Sequence, residues 1–102
     1  MNSIASVEIL GPEGRTEACA RFAIDDGMTP FVLKGVCVPG DEYVLGFWVK
    51  SHQAGRISAG GRDFVTGEEW TRCEADFTAA IEDMVIMFNA GEYFVYHAKL
   101  ER

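Results

Sequence analysis

The segment "YVLGFWVKS", residues 43–51, carries two large aromatic side chains at adjacent positions. Successive side chains of a β-strand point to opposite faces, so Phe47 and Trp48 cannot both enter the same core. Phe47 belongs to an alternating set that is apolar throughout, whereas Trp48 shares its set with Gly46 and Lys50. We therefore expect Trp48 on the outward face. There a loop, an N-terminal strand or a partner subunit could cover it. Alternatively, its flat ring could pack against the C–H groups of a sugar, while polar neighbours bond the hydroxyls.

The sequence offers no catalytic constellation. Its two histidines, His52 and His97, fall in separate predicted elements, and no serine or cysteine nucleophile motif accompanies them. Carboxylate pairs such as Glu74 and Asp76 carry no weight, because 16 of the 102 residues are Asp or Glu. The glycine-rich stretch at 55–64 lacks the strand and helix that flank a phosphate-binding loop. We expect neither enzyme activity nor a cofactor.

Length and charge narrow the range of partners. A chain of 102 residues is long enough for one two-layer domain, which we assign to residues 1–102. The formal net charge of −7 disfavours nucleic acid, whose phosphates require a basic surface, and also disfavours anionic membranes. No apolar run approaches the roughly 18 residues of a membrane-spanning helix. The N-terminal "MNSIASVEILG" lacks the basic and apolar regions of a secretory signal.

The three cysteines, Cys19, Cys37 and Cys73, each lie within an apolar run. Their number is odd, no pair has the C-x-x-C spacing of a metal site, and nothing indicates an oxidising compartment. These features favour free thiols that are buried as small apolar groups. A single Cys37–Cys73 bridge remains an alternative.

Alternation with a period of two predicts β-strands through most of the chain. The clearest turn is "VPGDE", residues 38–42, where Pro39 presets φ and Gly40 supplies the positive φ of a type II turn. The predicted strands are residues 6–10, 17–24, 31–38, 43–50, two short strands around Gly60-Gly61, and 92–101, the last with Phe94, Tyr96, Ala98 and Leu100 on one face.

Residues 66–91 admit two interpretations. With a period of 3.6, they form a helix that starts at a Thr66–Glu69 capping box and ends near Gly91. With a period of two, they begin as a strand, turn, and continue as a second strand at "MVIMFN". Periodicity alone slightly favours the helix. The helical stripe is Trp70, Cys73, Phe77, Ala80, Ile81, Met84 and Phe88; the strand would set Thr71, Cys73, Ala75 and Phe77 against Trp70, Arg72, Glu74 and Asp76.

Four blocks of sequence follow one another along the chain: "VCVPGDEYVLGFWVKS" (36–51), "GEEWTRCEADFTA" (67–79), "MVIMF" (84–88) and "GEYFVYHAKLE" (91–101). Their order and spacing resemble the carbohydrate-binding-module-like jelly rolls. These galactose-binding-like β-sandwiches are appended to glycoside hydrolases and recur in bacteriophage tail and virion proteins. The resemblance implies an all-β, two-sheet jelly-roll β-sandwich in which 69–79 is a strand, with Cys73, Ala75 and Phe77 inward.

The resemblance also implies a binding surface. Trp70 is assigned to the edge of the core. With the family register, Tyr93, Val95, His97 and Lys99 of the closing strand point outward, as do Arg72, Glu74 and Asp76. The predicted ligand-binding residues are Trp48, Lys50, Arg72, Glu74, Tyr93 and His97.

One departure from the family concerns metal. Many relatives carry aspartates in the closing strand that help to bind a structural calcium ion, whereas the corresponding stretch here is Tyr96-His97. Asp25 and Asp26, in an early turn, do not make a calcium cage by themselves. We expect no metal.

These features predict a non-catalytic module of a bacteriophage virion, a structural, decoration or adhesion protein whose sheet face meets cell-surface glycan or a neighbouring virion subunit. Such a chain would be made in the bacterial cytoplasm and then enter the virion. Met84, Met87 and Phe88, with Trp48, predict exposed apolar surface and hence a homo-oligomer. The alternatives are a stand-alone bacterial carbohydrate-binding module and, if 67–89 is a helix, an α+β protein-interaction domain.

Overall fold

The computed structural model describes residues 2–102, and their secondary structure consists of nine β-strands. These residues contain no helix long and apolar enough to cross a membrane. The strands are Ser3–Leu10 (β1), Thr16–Ile24 (β2), Thr29–Leu33 (β3), Glu42–Ser51 (β4), Gly55–Ala59 (β5), Arg62–Thr66 (β6), Thr71–Thr78 (β7), Met84–Phe88 (β8) and Gly91–Glu101 (β9).

The strands form two antiparallel sheets. One has the order β1-β2-β9-β4-β7 and the other has the order β3-β8-β5-β6. After β2 the chain changes sheet at every connection except the β5–β6 hairpin, so that β9 returns between β2 and β4. Two Greek keys wound in this way make a jelly roll. The predicted all-β, two-sheet sandwich is confirmed.

Residues 71–78 are a strand because their alternate side chains fill the core. β7 pairs with β4 from Glu42↔Thr78 to Val49↔Thr71. On β7, Cys73 and Ala75 are buried. The strand prediction is confirmed, and the helical interpretation is wrong. Four residues of its apolar stripe, Cys73, Phe77, Met84 and Phe88, do face the core, but they come from β7 and β8, which belong to different sheets.

The core lies between the two sheets, and β4 contributes four of its buried side chains. Across the gap between the sheets, the ring of Phe88 lies 4.6 Å from that of Phe22 and 5.3 Å from that of Tyr93. Ile57 of β5 is fully buried beside them. The inward set of β4 is the predicted one, with exposures of 5%, 2%, 2% and 0% at Tyr43, Leu45, Phe47 and Val49.

The predicted strand at 31–38 is shorter in the structure and ends at Leu33. Beyond it, Gly35 adopts a φ of 67° and the chain crosses toward the other sheet. The backbone N–H of Cys37 then donates to the carbonyl oxygen of Glu82 at 2.9 Å. This apolar run is therefore a crossover in which Cys37 is buried, rather than the end of a strand.

The turn before β4 forms as predicted. Gly40 has a φ of 93°, and the N–H of Asp41 donates to the carbonyl of Val38 at 3.1 Å. The hydroxyl of Tyr43 accepts a hydrogen bond from the N–H of Val38 at 2.7 Å, which fixes the turn to the start of β4.

All three cysteines are buried free thiols, as predicted, and Cys37 and Cys73 are not bridged. Burial raises the pKa of the Cys19 thiol; the carboxylate of Glu17 raises it further and Lys50 opposes the rise. Burial likewise raises the pKa of Cys73.

A β-bulge in β9 interrupts the alternation of side chains along that strand. Trp48 of β4 pairs with Tyr96, yet Gly46, two residues away, pairs with Lys99, three residues away. The additional residue lies at His97, which adopts a φ of 55°. Because two residues of one strand oppose one of the other, the side chains on either side of the bulge follow opposite parity.

The bulge decides which residues of β9 enter the core. Tyr93 is fully buried and Val95 packs against the core, so the prediction that both point outward is wrong. Phe94 and Tyr96, predicted inward, lie on the outer side of the sheet instead. Beyond the bulge Leu100 faces the core, as predicted.

β8 does not provide the exposed apolar surface that the sequence suggested. Met84 and Phe88 are buried, at 3% and 1% exposure, and Met87 is partly exposed. The prediction fails because β8 lies between β3 and β5, with alternate side chains in the core. Met84 and Phe88 therefore cannot form an apolar contact between two copies of the chain.

Candidate functional site

The outer face of the five-stranded sheet carries a cluster of aromatic and cationic side chains. Trp48 lies on this face, as predicted, and is partly exposed. In register with it are Arg72 of β7 on one side and Tyr96 of β9 on the other. Two residues along β4, Lys50 pairs with Phe94. We term this side of the sheet the aromatic face. It comprises Trp48, Lys50, Trp70, Arg72, Phe94 and Tyr96, of which Phe94 is buried at 8% exposure.

The guanidinium of Arg72 lies across the backbone of Gly46. A Cβ atom at position 46 would stand 3.1 Å from Cζ of Arg72 and would overlap its Nη2. The same Cζ lies 6.0 Å from the centre of the Trp48 ring, and Nη2 lies 3.4 Å from Oε2 of Glu74. Gly46 thus makes room for a planar set of hydrogen-bond donors beside an indole.

Trp70 also belongs to the outer face, so its assignment to the edge of the core is wrong. Its indole Nε1–H donates to the carbonyl oxygen of Leu10 at 3.0 Å. Its ring centre lies 6.3 Å from that of Tyr96 and 5.4 Å from Nζ of Lys50. Side chains two residues apart in an extended chain point to the same face, so Trp70 points outward with Arg72.

The hairpin of β1 and β2 bends over the aromatic face. Leu10 ends β1 at one edge of the sheet, whereas Trp70 precedes β7 at the other edge. Four strand spacings would place these edges about 19 Å apart in a flat sheet, which is farther than an indole reaches. β2 pairs with β9 only as far as Ala20↔Val95. The distal half of the hairpin is therefore free of β9 and turns inward to meet Trp70.

The bent hairpin alters the surroundings of Tyr96. Desolvation raises the pKa of its hydroxyl, and the carboxylates of Glu17 and Glu13 raise it further. Both glutamates belong to the distal part of the hairpin, Glu13 in its turn and Glu17 in β2. Tyr96 consequently remains a neutral phenol that can both donate and accept a hydrogen bond.

Paired charges border the face near Phe94. Nε of Arg21 donates to Oε2 of Glu92 at 2.6 Å, and Nε2 of His52 lies 3.0 Å from Oε1 of the same carboxylate. The His52 ring also meets Phe94 edge-on, with centres 5.6 Å apart. These residues were not predicted, because Glu92 and His52 come together only once β4 and β9 have paired.

Most of the predicted binding residues do come together. His97 is exposed at the bulge, and its ring centre lies 5.6 Å from that of Tyr96. Phe94 and Tyr96 were missed because of the bulge, whereas alternation with Arg72 could have identified Trp70. The predicted residues gathered on the outer face are Trp48, Lys50, Arg72 and Glu74.

Tyr93 does not belong to this surface. Its hydroxyl lies inside the sandwich, where it accepts from the backbone N–H of Arg56 at 3.2 Å and lies 3.3 Å from the carbonyl of the same residue. Its assignment as a binding residue is wrong, because it precedes the bulge and takes the inward parity.

Other features of the domain offer less to a hydroxylated ligand. An apolar cavity of about 390 Å³ opens between the sheets, near the last β2–β9 pair, Ala20 and Val95. Lys99 is the one polar residue in its described lining, so the cavity lacks groups that could orient a sugar. Among residues 2–102, no group of three or more His, Cys, Asp or Glu side chains is placed to hold a metal ion.

Solved structures share this architecture. The CBM1 module of BiXyn10A, in its apo form, superposes with a TM-score of 0.63 and 18% identity, over 98% of this chain and 89% of the other. The C-terminal CBM6 of LamC, a marine laminarinase from Zobellia galactanivorans, gives 0.55 and 14% identity, over 95% and 88%. The fold is that of the carbohydrate-binding-module jelly rolls.

The same jelly roll also occurs as part of a larger chain. The enzymatically active domain of tailspike protein 4 from bacteriophage CBA120 superposes with a TM-score of 0.54 and 15% identity, over 98% of this chain and 15% of the tailspike chain. No protein-family model matches the sequence, and no curated protein matches it. The similarity to these jelly rolls therefore concerns the fold.

Proposed function

We propose that this domain binds glycans through the aromatic face and catalyses no reaction on them. The observation that carries the proposal is the pairing of Trp48 with Arg72 on the outer side of the sheet, with the guanidinium 6.0 Å from the ring centre. Sugars present C–H groups to a π-face and hydroxyl groups to planar donors and acceptors. The indole supplies the first kind of contact and the guanidinium supplies the second.

Neighbouring groups extend the same chemistry. The carboxylate of Glu74 beside Arg72 can accept hydrogen bonds from hydroxyls, and the neutral phenol of Tyr96 can do both. The bent hairpin borders the face at Trp70, whose indole N–H donates to the carbonyl oxygen of Leu10. The fold that the domain shares with the modules of BiXyn10A and LamC supports a glycan as the ligand.

A glycan array of plant, algal and bacterial-surface polysaccharides tests the proposal. The wild-type domain is expected to bind at least one class, and Trp48→Ala is expected to lose that binding because aromatic anchors dominate such contacts. Val65→Ala is the matched control, since Val65 is 69% exposed on β6 of the other sheet. Wild-type protein that binds no glycan, or Trp48→Ala that binds equally well, would refute the proposal. Release of sugar fragments from a bound glycan would contradict the non-catalytic role.

We also propose a bacteriophage virion as the setting in which the domain works, as a structural, decoration or adhesion module. The fold shared with tailspike protein 4 supports this setting, and the fold shared with BiXyn10A and LamC equally supports a stand-alone bacterial module. Native mass spectrometry separates the two, because virion modules assemble as symmetric oligomers. A trimer or larger ring favours the virion, whereas a monomer favours the stand-alone module.

A further inference from the structure

We infer that the glycan recognised by the aromatic face is acidic, bearing a carboxylate or a sulfate, and that Lys50 binds this anionic group. The inference rests on the proposed glycan-binding function and specifies its ligand. It follows from the position of Lys50, from the pairing of the other cations nearby, and from the distance between Lys50 and Trp48.

Lys50 is held between two aromatic rings. Its Nζ lies 5.4 Å from the centre of the Trp70 ring and 6.0 Å from that of Phe94. Both rings stabilise an ammonium group through their quadrupoles, but neither neutralises its charge. No carboxylate of residues 2–102 lies within 4 Å of this Nζ. Lys50 is therefore an oriented, partly buried cation without an anionic partner in the described part of the chain.

The neighbouring cations differ from Lys50 because each already has a carboxylate. Nη2 of Arg72 lies 3.4 Å from Glu74, and Nζ of Lys99 lies 3.4 Å from Glu101. The remaining pairs of the outer face and the hairpin are Arg21 with Glu92 and Arg15 with Glu13 and Glu17.

The spacing along β4 matches a sugar that carries a charged substituent. Lys50 follows Trp48 by two residues, so both side chains stand on the same face about 6.6 Å apart along the strand. A pyranose ring stacked on Trp48 would therefore present a ring substituent to Nζ of Lys50. On another side of the same ring, Arg72, whose charge is paired with Glu74, can donate hydrogen bonds to the hydroxyls of the sugar.

Long-range electrostatics restrict the ligand further. The chain carries a net charge of −7, which repels a polyanion at a distance. Screening confines this repulsion to about 8 Å at physiological ionic strength, so short-range contacts decide the affinity. The carboxylate of Glu17 and the ammonium group of Lys50 both act on the Cys19 thiol, and Oε1 of Glu17 lies 3.6 Å from Nε of Arg15. This balance favours a short oligosaccharide with isolated acidic groups.

Calorimetric titration with matched oligosaccharides tests the inference. The probes are galacturonate against galactose oligomers for the carboxylate, and sulfated against unsulfated galactan oligomers for the sulfate. Wild-type protein is expected to prefer the acidic member of at least one pair by about tenfold to a hundredfold, the usual effect of a charged hydrogen bond. Lys50→Gln should remove this preference and Lys50→Arg should keep it.

Lys99→Gln is the matched control, because Lys99 is a lysine of the same sheet whose charge is already paired with Glu101. It should retain the preference for acidic probes. Equal affinity for acidic and neutral probes, or an unchanged preference in Lys50→Gln, would overturn the inference and leave glycan binding intact. Absence of binding to every probe and to the glycan array would overturn the proposed function instead. Thermal unfolding of each variant establishes that the compared proteins are folded.

Discussion

The guanidinium of Arg72 occupies the space that a side chain at position 46 would fill, and Gly46 leaves that space open. Gly46 lies in β4 without a left-handed φ, so the position requires glycine for room rather than for backbone conformation. The absence of one Cβ thus places Arg72 against the ring of Trp48. The geometry of the aromatic face depends on this contact.

Gly46→Ala should separate binding from stability. The new Cβ would overlap the flexible end of the Arg72 side chain, so the domain should fold while the guanidinium moves away from Trp48. We expect the free energy of unfolding to change by about 1 kcal/mol or less and glycan affinity to fall by about tenfold. Calorimetric titration and urea denaturation measure the two effects. Gly27→Ala is the control, because a Cβ there meets open space; unchanged affinity in Gly46→Ala would contradict the role of this contact.

Truncation of the side chain should cost much more unfolding free energy at Phe47 than at the adjacent Trp48. Phe47 is 2% exposed in the core, so Phe47→Ala should cost about 3–5 kcal/mol of unfolding free energy. Trp48→Ala removes a partly exposed ring and its contact with Arg72, and should cost about 1 kcal/mol. Denaturant titration of both variants gives the comparison. A loss in Trp48→Ala as large as that in Phe47→Ala would place Trp48 in the core and remove the proposed site.

Two tyrosines of β9 that point to opposite faces of the sheet, Tyr93 and Tyr96, should show the same contrast. Tyr93→Phe leaves the backbone N–H of Arg56 without its partner inside the sandwich, which should cost about 1–3 kcal/mol and leave glycan binding unchanged. Tyr96→Phe, on the aromatic face, should leave stability nearly unchanged and weaken glycan binding. Denaturation and titration of the two variants test this. If Tyr93→Phe weakened binding at full stability, the inward assignment of Tyr93 would be wrong.

Much of the fold was accessible from the sequence because its causes are local. The alternation at 43–50 determined which side of β4 faces the core, and Pro39-Gly40 determined the turn before it. The strand at residues 71–78 could not be predicted from its own residues. Its conformation depends on pairing with β4, and the periodicity within the segment carries no information about that contact. The order of sequence blocks resolved the ambiguity, since it reports on the whole topology.

The binding surface was harder to predict than the fold, and the bulge at His97 explains why. Once one residue of a strand is assigned to the core or to the surface, alternation assigns all the others. A single inserted residue therefore reverses the assignment of every residue beyond it. A bulge residue with positive φ is commonly glycine, which would have marked the position, but here it is a histidine. Tyr93 and Tyr96 were therefore exchanged between core and surface. The bend of the hairpin toward Trp70 has no sequence signal either, because it follows from where β2 stops pairing with β9.

The buried thiols should make stability depend on pH in the alkaline range. Burial raises the pKa of Cys19 and Cys73 in the folded state, so the native protein holds these protons more tightly than the unfolded chain does. The resulting stability is fully present below the unfolded thiol pKa of about 8.5 and is lost as the pH rises above it, through the folded pKa. We expect the free energy of unfolding to decrease as the pH rises above about 8.5. A Cys19→Ala/Cys73→Ala variant, although less stable at pH 7, should show a smaller decrease. Native protein should also react slowly with a thiol reagent at pH 8 and expose all three thiols in urea, whereas rapid native labelling of all three would show that they are not buried.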